Sequence, residues 1–250
     1  MNIPDNSGEF LTEESSAERN YERFLQFAAA GTFGIGFLVI PAWAMLLPLP
    51  GNFKDIAASC GPLAALIVLL AAMRRCCGTW SKVLEVLEIK RLDTGFACTV
   101  PLLAVLLMLI SGSTTLLWQS FMYTKFGLVF DVPPTVDMGM NGTPVQAAML
   151  AITALLAAPV LEEILFRRVL FGFMKQRYGV IAGYIGSALL FAVMHCSLAQ
   201  LPGLFILALF WQYIYCRKQN LSVSIMLHFC NNLCSMALLL LSRYLELPLN

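Results

Sequence analysis

Charge is what this sequence has least of. Asp, Glu, Lys and Arg make up 12% of its 250 residues, about half of the roughly 25% usual in soluble domains. The shortage argues against an ordinary soluble fold, because 59% of the chain is hydrophobic and too little polar surface remains to cover it. A net charge of +1, with no basic stripe, excludes a nucleic-acid partner of the usual kind. No C-x-x-C occurs among the eight cysteines, and most lie in apolar segments, where free cysteine packs as a small hydrophobe. Cys230 and Cys234 share a helix face and are read as packing residues. Cys76 and Cys77 beside Arg74 and Arg75 point to a reduced, cytosolic loop. The segment 1–24, acidic at Glu9, Glu13, Glu14, Glu18 and Glu22, lacks the early apolar core of a cleaved signal peptide, so the first span is expected to serve as the targeting signal.

Long apolar runs are what the chain has in abundance. Windows of about 20 apolar residues fall near 25–49, 57–73, 96–122, 146–172, 180–195, 201–216 and 221–241. No polar connector is long enough to fold as a separate soluble unit. The expected fold is all-α: a polar cytoplasmic segment 1–24, then a single polytopic membrane domain, 25–250, of about seven transmembrane helices. Lys and Arg alternate between its ends. Arg74, Arg75, Lys82, Lys90 and Arg91 follow the second run, Arg167, Arg168, Lys175 and Arg177 close the fourth, and Arg217 and Lys218 follow the sixth. Loops 124–145 and 196–200 carry only Lys125. The positive-inside rule then predicts a cytoplasmic amino terminus and an external carboxyl terminus. Segment 78–92 has an apolar stripe with a basic end and reads either as an interfacial helix or as an ordinary connector. Loop 131–145, rich in Pro, Gly and Asp, reads as turns rather than a folded unit. The triplet Asn141-Gly142-Thr143 satisfies a glycosylation sequon, a pattern that chance also produces. Gly179 and Gly183 form a G-x-x-x-G that would let the fifth helix approach the fourth closely.

Ionisable groups inside apolar runs are costly and by default mark a functional site. Both histidines of the chain, His195 and His228, lie in such runs, and a third run carries Glu162 and Glu163. Glu163 and Arg167 are four residues apart with the carboxylate first, the favourable order for a helical ion pair. Glu162 lies about 100° around the helix and is left free for chemistry. Phe191 and His195 share one face of the fifth helix, as His228 and Asn232 share one face of the seventh. A carboxylate, two imidazoles and a carboxamide from three helices form a plausible water-activating site, with Glu162 as base and neutral donors for an oxyanion. Burial is expected to push the Glu162 carboxyl upward toward neutrality, as suits a general base.

Other readings of these residues stay open. Glu162, His195 and His228 would supply the His₂Glu set of a catalytic zinc site, although no H-E-x-x-H fixes a metal. Two intramembrane histidines could be haem ligands, and paired glutamates could relay protons. Neither accounts for Asn232 or for the Glu163–Arg167 pair. Cys196 as a nucleophile with His195 is disfavoured, because neighbouring helical positions face different directions.

The patterns E-E-x-x-x-R (Glu162, Glu163, Arg167), F-x-x-x-H (Phe191, His195) and H-x-x-x-N (His228, Asn232), in this order, resemble the CAAX prenyl protease type II and bacteriocin-processing family, also called CPBP or Abi. These motifs lie within residues 159–232, inside a catalytic core expected at about 146–241; the earlier runs contribute hydropathy alone. The resemblance implies an intramembrane endopeptidase in which Glu162 and His195 bind and activate water, His228 and Asn232 form the oxyanion hole, and Glu163, Arg167 and Phe191 support them. It implies a membrane-associated protein or peptide as substrate within the lipid bilayer. No cofactor is favoured, and zinc remains an option, because the family has been described both as metal-dependent and as glutamate-dependent. A bacterial cytoplasmic membrane fits the short chain and its acidic tail. Some relatives act as membrane scaffolds or regulators of a partner, which is the non-enzymatic alternative. The family's helix between the second and third motifs often carries glycines, whereas LFILALFWQYIYC is bulky. The expected run boundaries also leave one conflict: His195 falls at the outer end of its run, while Glu162 and His228 fall in the inner halves of theirs. Either the fourth helix extends beyond the bilayer and the fifth starts later, or the helix bearing His195 is tilted.

Overall fold

The computed structural model describes residues 23–32, 34–39, 46, 50, 56 and 60–245. Apart from its last two residues, the polar segment 1–24 lies outside the described residues, as does part of the expected first span. Among the described residues every regular element is helical: α1 (23–32), a π-helical turn at Ile35–Val39, α2 (Gly61–Cys77), α3 (Trp80–Val86), α4 (Thr94–Phe126), α5 (Pro134–Asn141), α6 (Pro144–Tyr178), α7 (Val180–Met194), α8 (Leu201–Lys218) and α9 (Leu221–Tyr244).

Helix ends fall where the local chemistry favours them. Asp93 accepts from Phe96 N at 3.0 Å to start α4, and Gly127, in the left-handed region, ends it. Thr143 and Gln146 form a reciprocal capping box ahead of α6, with Pro144 in the first turn, where a missing N–H costs nothing. Gly179, at φ +90°, turns the chain from α6 into α7.

Six of the seven expected runs recur as helices with ends within a few residues. Their status as spans is narrower. Three helices, α4, α6 and α9, are long and apolar enough to cross a membrane, or four if α2 and α3, bent by 109°, count as one broken span. The 15 residues of α7 cover about 22 Å, short of the ~30 Å hydrocarbon core. α8 carries Gln212, Arg217 and Lys218, which dilute its hydropathy. Loop 131–145 departs from expectation, since it contains α5. Gly139 of α5 packs so tightly on Leu239 of α9 that an added Cβ would collide with it, and Arg243 donates to Gly139 O at 3.0 Å and Gly142 O at 3.1 Å.

The bundle is layered around α6. Half of the most apolar window of α6 is buried, against 17% for α4. Exposed apolar side chains on α4 and α7, such as Leu102, Leu117 and Ile181, form the belt that a lipid solvent would cover. α4 packs against α8 and α9, and α7 packs between the end of α6 and α8. Of the two glycines in the expected G-x-x-x-G, Gly183 provides the close approach: a Cβ there would meet Lys175 N at 2.9 Å. Gly179 serves as the turn.

One end of the bundle is knotted by hydrogen bonds. Asn220 Oδ1 accepts from Lys90 N at 3.1 Å, and its amide donates to Arg91 O at 3.2 Å. Leu221 N donates to Glu88 O at 2.9 Å, Tyr215 OH to Glu88 Oε2 at 2.8 Å, and Arg168 Nε to Val86 O at 2.9 Å. These bonds gather loop 87–93, the middle of α6, the end of α8 and the start of α9 at one level. The basic residues of 74–91, 168–177 and 217–218 therefore share one end of the molecule, as their alternation along the chain implies.

The conflict over His195 resolves through the α6–α7 hairpin. Gly179 is equidistant in sequence from Glu163 and His195, so two antiparallel helices leaving that turn bring both residues to about the same level. α6 is 35 residues long, about 52 Å, and extends well beyond a hydrocarbon core. Of the first option the long fourth helix is present, while α7 starts at Val180, where the fifth run was expected to begin, and not later.

Candidate active site

The middle of α6 is irregular where its carboxylates stand. Two π-helical stretches, Thr153–Ala157 and Ile164–Leu170, flank the α-helical Ala158–Glu163, and such π insertions often accompany functional sites. The first has a definable consequence. Ala158 N donates to Thr153 O, and Pro159 has no N–H, which leaves Ala154 O without a backbone donor. Asn232 Nδ2 supplies one from α9 at 2.8 Å.

Glu163 is the satisfied carboxylate of the pair. It is fully buried, its Oε2 lies 3.1 Å from Arg167 Nε, Ser224 Oγ donates to it, and His228 Nδ1 donates to its Oε1 at 3.0 Å. Arg167, 1% exposed, rests over the rings of Phe191, at 4.7 Å, and Trp211, at 5.4 Å. A buried charge is tolerable only with such compensation. Glu162 has no comparable set of partners. Its Oε2 lacks a hydrogen bond, and the nearest cation-capable atom is His228 Nε2 at 3.8 Å.

Glu162, His195, His228 and Asn232, with Phe191, all line one cavity of about 990 Å³. His195 follows the last residue of α7, and its Nδ1 donates to Phe191 O at 2.8 Å. A carbonyl can only accept, so the proton sits on Nδ1 and Nε2 is left for a ligand. The same rule applied to His228 places a proton on Nδ1, against Glu163. Donation from Nε2 then requires the doubly protonated ring, whose charge would close a neutral set: Glu162 and Glu163 against Arg167 and His228. His228 is held by stacking on Trp211, with centroids 4.2 Å apart, and by the edge of Phe191 at 6.0 Å.

Three neighbours escaped the sequence reading. Ser224 carried a signal, since it precedes His228 by the same four-residue step that separates His228 from Asn232. Trp211, the bulky α8 residue that braces His228, carried none. Asn231, buried with an unpartnered Oδ1, also lines the cavity. Cys196 leaves α7 with φ +50° and does not line the cavity. All eight cysteines are free. Among the described residues no three His, Cys, Asp or Glu side chains are grouped to hold a metal ion.

Residues 144–234 match a family model described as type II CAAX prenyl endopeptidase Rce1-like. The matched segment runs from the start of α6 into α9 and contains every motif residue named above. No curated protein and no solved structure matches the chain. The carboxyl-terminal half is thus similar to type II CAAX endopeptidases, which at family level are membrane proteases acting on membrane-associated proteins.

Proposed function

We propose that this chain is an intramembrane endopeptidase that hydrolyses a peptide bond of a membrane-associated protein or peptide. The observation that carries the reading is the convergence on one cavity of a carboxylate without hydrogen-bonded compensation, Glu162, with His195, His228 and Asn232, beside a second carboxylate that is fully compensated. A buried acid without compensation is costly to keep, and proton transfer gives that cost a use.

In the proposed reaction Glu162 takes a proton from water that His195 Nε2 helps to hold, and the oxygen attacks the scissile carbonyl carbon. The resulting oxyanion receives N–H groups from His228 Nε2 and from the second amide hydrogen of Asn232, the first being spent on Ala154 O. Glu162 then gives its proton to the departing amine as the C–N bond breaks. Glu163 and Arg167 orient His228 without touching substrate.

The direct test compares membranes carrying wild-type protein and Glu162→Ala against a library of membrane-anchored peptides. Loss of cleavage is expected with Glu162→Ala, and also with His195→Ala and His228→Ala. Proteolysis unchanged in the Glu162 variant would defeat the assignment. Activity that persists after exhaustive chelation would favour the carboxylate as sole activator, and activity restored only by zinc would assign Glu162, His195 and His228 as ligands instead.

A further inference from the structure

Among the described residues, the buried side-chain nitrogens and oxygens without a hydrogen-bond partner belong to four side chains: Glu162, Arg167, Trp211 and Asn231. Glu162 is the base of the proposed reaction. Arg167 is held by its ion pair with Glu163 and by two aromatic rings, and Trp211 braces His228. Asn231 has no such use. It is 7% exposed and lines the same cavity as Glu162. Ser235 Oγ donates to its main-chain O at 3.0 Å, which leaves the side-chain Oδ1 without a donor. Asparagine is a weaker helix former than leucine, and burying its amide unpaired adds a further cost. Packing alone would favour an apolar residue at this position.

We propose that Asn231 is a substrate-binding residue whose Oδ1 accepts a main-chain N–H of the bound peptide close to the scissile bond. The proposal rests on the endopeptidase reading and deepens it. Asn231 and Asn232 stand one turn from His228 on α9, about 4.5 and 6 Å along the axis, and about 60° to one side of it and 40° to the other. The three side chains therefore edge one stretch of the cavity, which all of them line. Such offsets amount to one or two residues of extended chain, at about 3.3 Å each. His228 and Asn232 offer N–H groups, which suit carbonyl oxygens, while Glu162 and His195 are engaged with water and its proton. A peptide brings N–H groups too, and burying one of them unpaired weakens binding. Asn231 is the acceptor that this set of donors lacks. The χ2 torsion of asparagine is broad, so Oδ1 can swing to meet a donor. An acyl chain or a lipid ester has no N–H to give, so an acceptor at this depth selects an amide backbone.

The test removes the hydrogen bond from each side in turn. Quenched apolar peptides are made with a single amide N–H replaced by an ester oxygen, moved stepwise along the chain, and are given to full-length wild-type protein and to Asn231→Leu in detergent. A hydrogen bond present in the substrate complex and the transition state alike changes KM rather than kcat. One ester position flanking the scissile bond is expected to raise KM about three- to tenfold in wild-type protein, the worth of a neutral hydrogen bond, with kcat nearly unchanged. Asn231→Leu is expected to raise KM for the all-amide peptide by the same factor and to erase the penalty of that ester. Its unfolding midpoint should be unchanged or higher, since an unpartnered polar group gives way to an apolar one of similar size. An ester penalty of equal size in both proteins overturns the proposal. So does a lowered midpoint with KM unchanged, the mark of a purely structural Asn231. If Asn231→Leu does not fold, Asn231→Ala carries the same comparison. Where wild-type protein cleaves no peptide, the endopeptidase reading falls by itself, and the same pairs are compared by the midpoint shift that bound peptide produces. A shift weakened by one ester in wild-type protein alone keeps Asn231 as a peptide-binding group, and a shift indifferent to every ester, or no shift, removes it.

Discussion

The two faces that α6 presents at adjacent residues are built on opposite principles. On the Glu163 face each carboxylate oxygen has a counter-charge or a donor, Arg167 and Ser224 at Oε2 and His228 at Oε1, while the Arg167 guanidinium is held by its ion pair and by the rings of Phe191 and Trp211 without a hydrogen bond of its own. On the Glu162 face a carboxylate borders a cavity of about 990 Å³ with one oxygen unpartnered. The same residue type, one position apart, is fully partnered on one side and left open to a cavity on the other. What separates them is the ~100° step of the helix and the presence of Ser224 and His228 on the facing side of α9. His228 joins the two faces, because one ring nitrogen belongs to each.

Substitution of each glutamate should separate the faces. Glu162→Gln keeps the shape and removes the base, so peptide cleavage should fall by about 10²–10⁴-fold with little change in thermal midpoint in detergent. A large drop in midpoint with activity retained would mean that Glu162 is the structural member. Glu163→Ala should act the other way round. It leaves Arg167 buried without its partner, a loss of about 3–5 kcal/mol, read as a lowered unfolding midpoint. The double substitution Glu163→Leu with Arg167→Met sharpens the contrast: replacing a buried ion pair by apolar groups can restore stability, yet His228 would lack its Nδ1 acceptor. Recovered folding with cleavage still depressed is the expected result, and full recovery of both would deny Glu163 any part in orienting His228.

Asn232 stands on the boundary between the faces. Removing its amide in Asn232→Ala orphans Ala154 O, which should cost about 1–3 kcal/mol. If its second N–H serves the oxyanion, cleavage per folded molecule should also fall by about 10²-fold. Lost stability with an unchanged turnover rate would confine Asn232 to bracing the π-helical turn.

Much of this arrangement was legible in the chain itself, and the reasons differ by element. Runs of apolar residues set the helices from 61 onward within a few residues, because lipid and helix geometry leave few alternatives. The i, i+4 spacing of Glu163 with Arg167, and of His228 with Asn232, placed each pair on a shared face. What escaped depends on contacts distant in sequence. The eight-residue α5 is too short to hold by propensity, and its carbonyls are secured by Arg243 from another helix, so Pro, Gly and Asp read only as turns. The level of His195 follows from where the chain turns, at Gly179, midway in sequence between Glu163 and His195, which hydropathy does not encode. Trp211 looked like any bulky membrane residue until its stacking on His228 was seen. The proton on His228 Nδ1 depends on Glu163, 65 positions away.

The smallest effect belongs to the knotted end, where the chain should tolerate loss of a polar group with no chemical penalty. Asn220 is a buried N-cap: its Oδ1 accepts from Ser222 N at 3.0 Å and Lys90 N at 3.1 Å, and its amide reaches Arg91 O. Asn220→Ala removes the cap and these ties, and cap deletions cost about 0.5–2 kcal/mol. The several carbonyls and N–H groups released lie beside loop 87–93, where water can replace part of what is lost, so the result should stay inside that range. Ser222 Oγ still reaches Lys90 O at 2.8 Å, and Tyr215 still holds Glu88. Turnover per folded molecule should therefore be unchanged, measured as cleavage rate normalised to the folded fraction. A fall in turnover out of proportion to that fraction would mean that the knot and the cavity are mechanically coupled. The division of the molecule into a sealed end and a reactive hollow would then have to give way to a single device that opens at both ends.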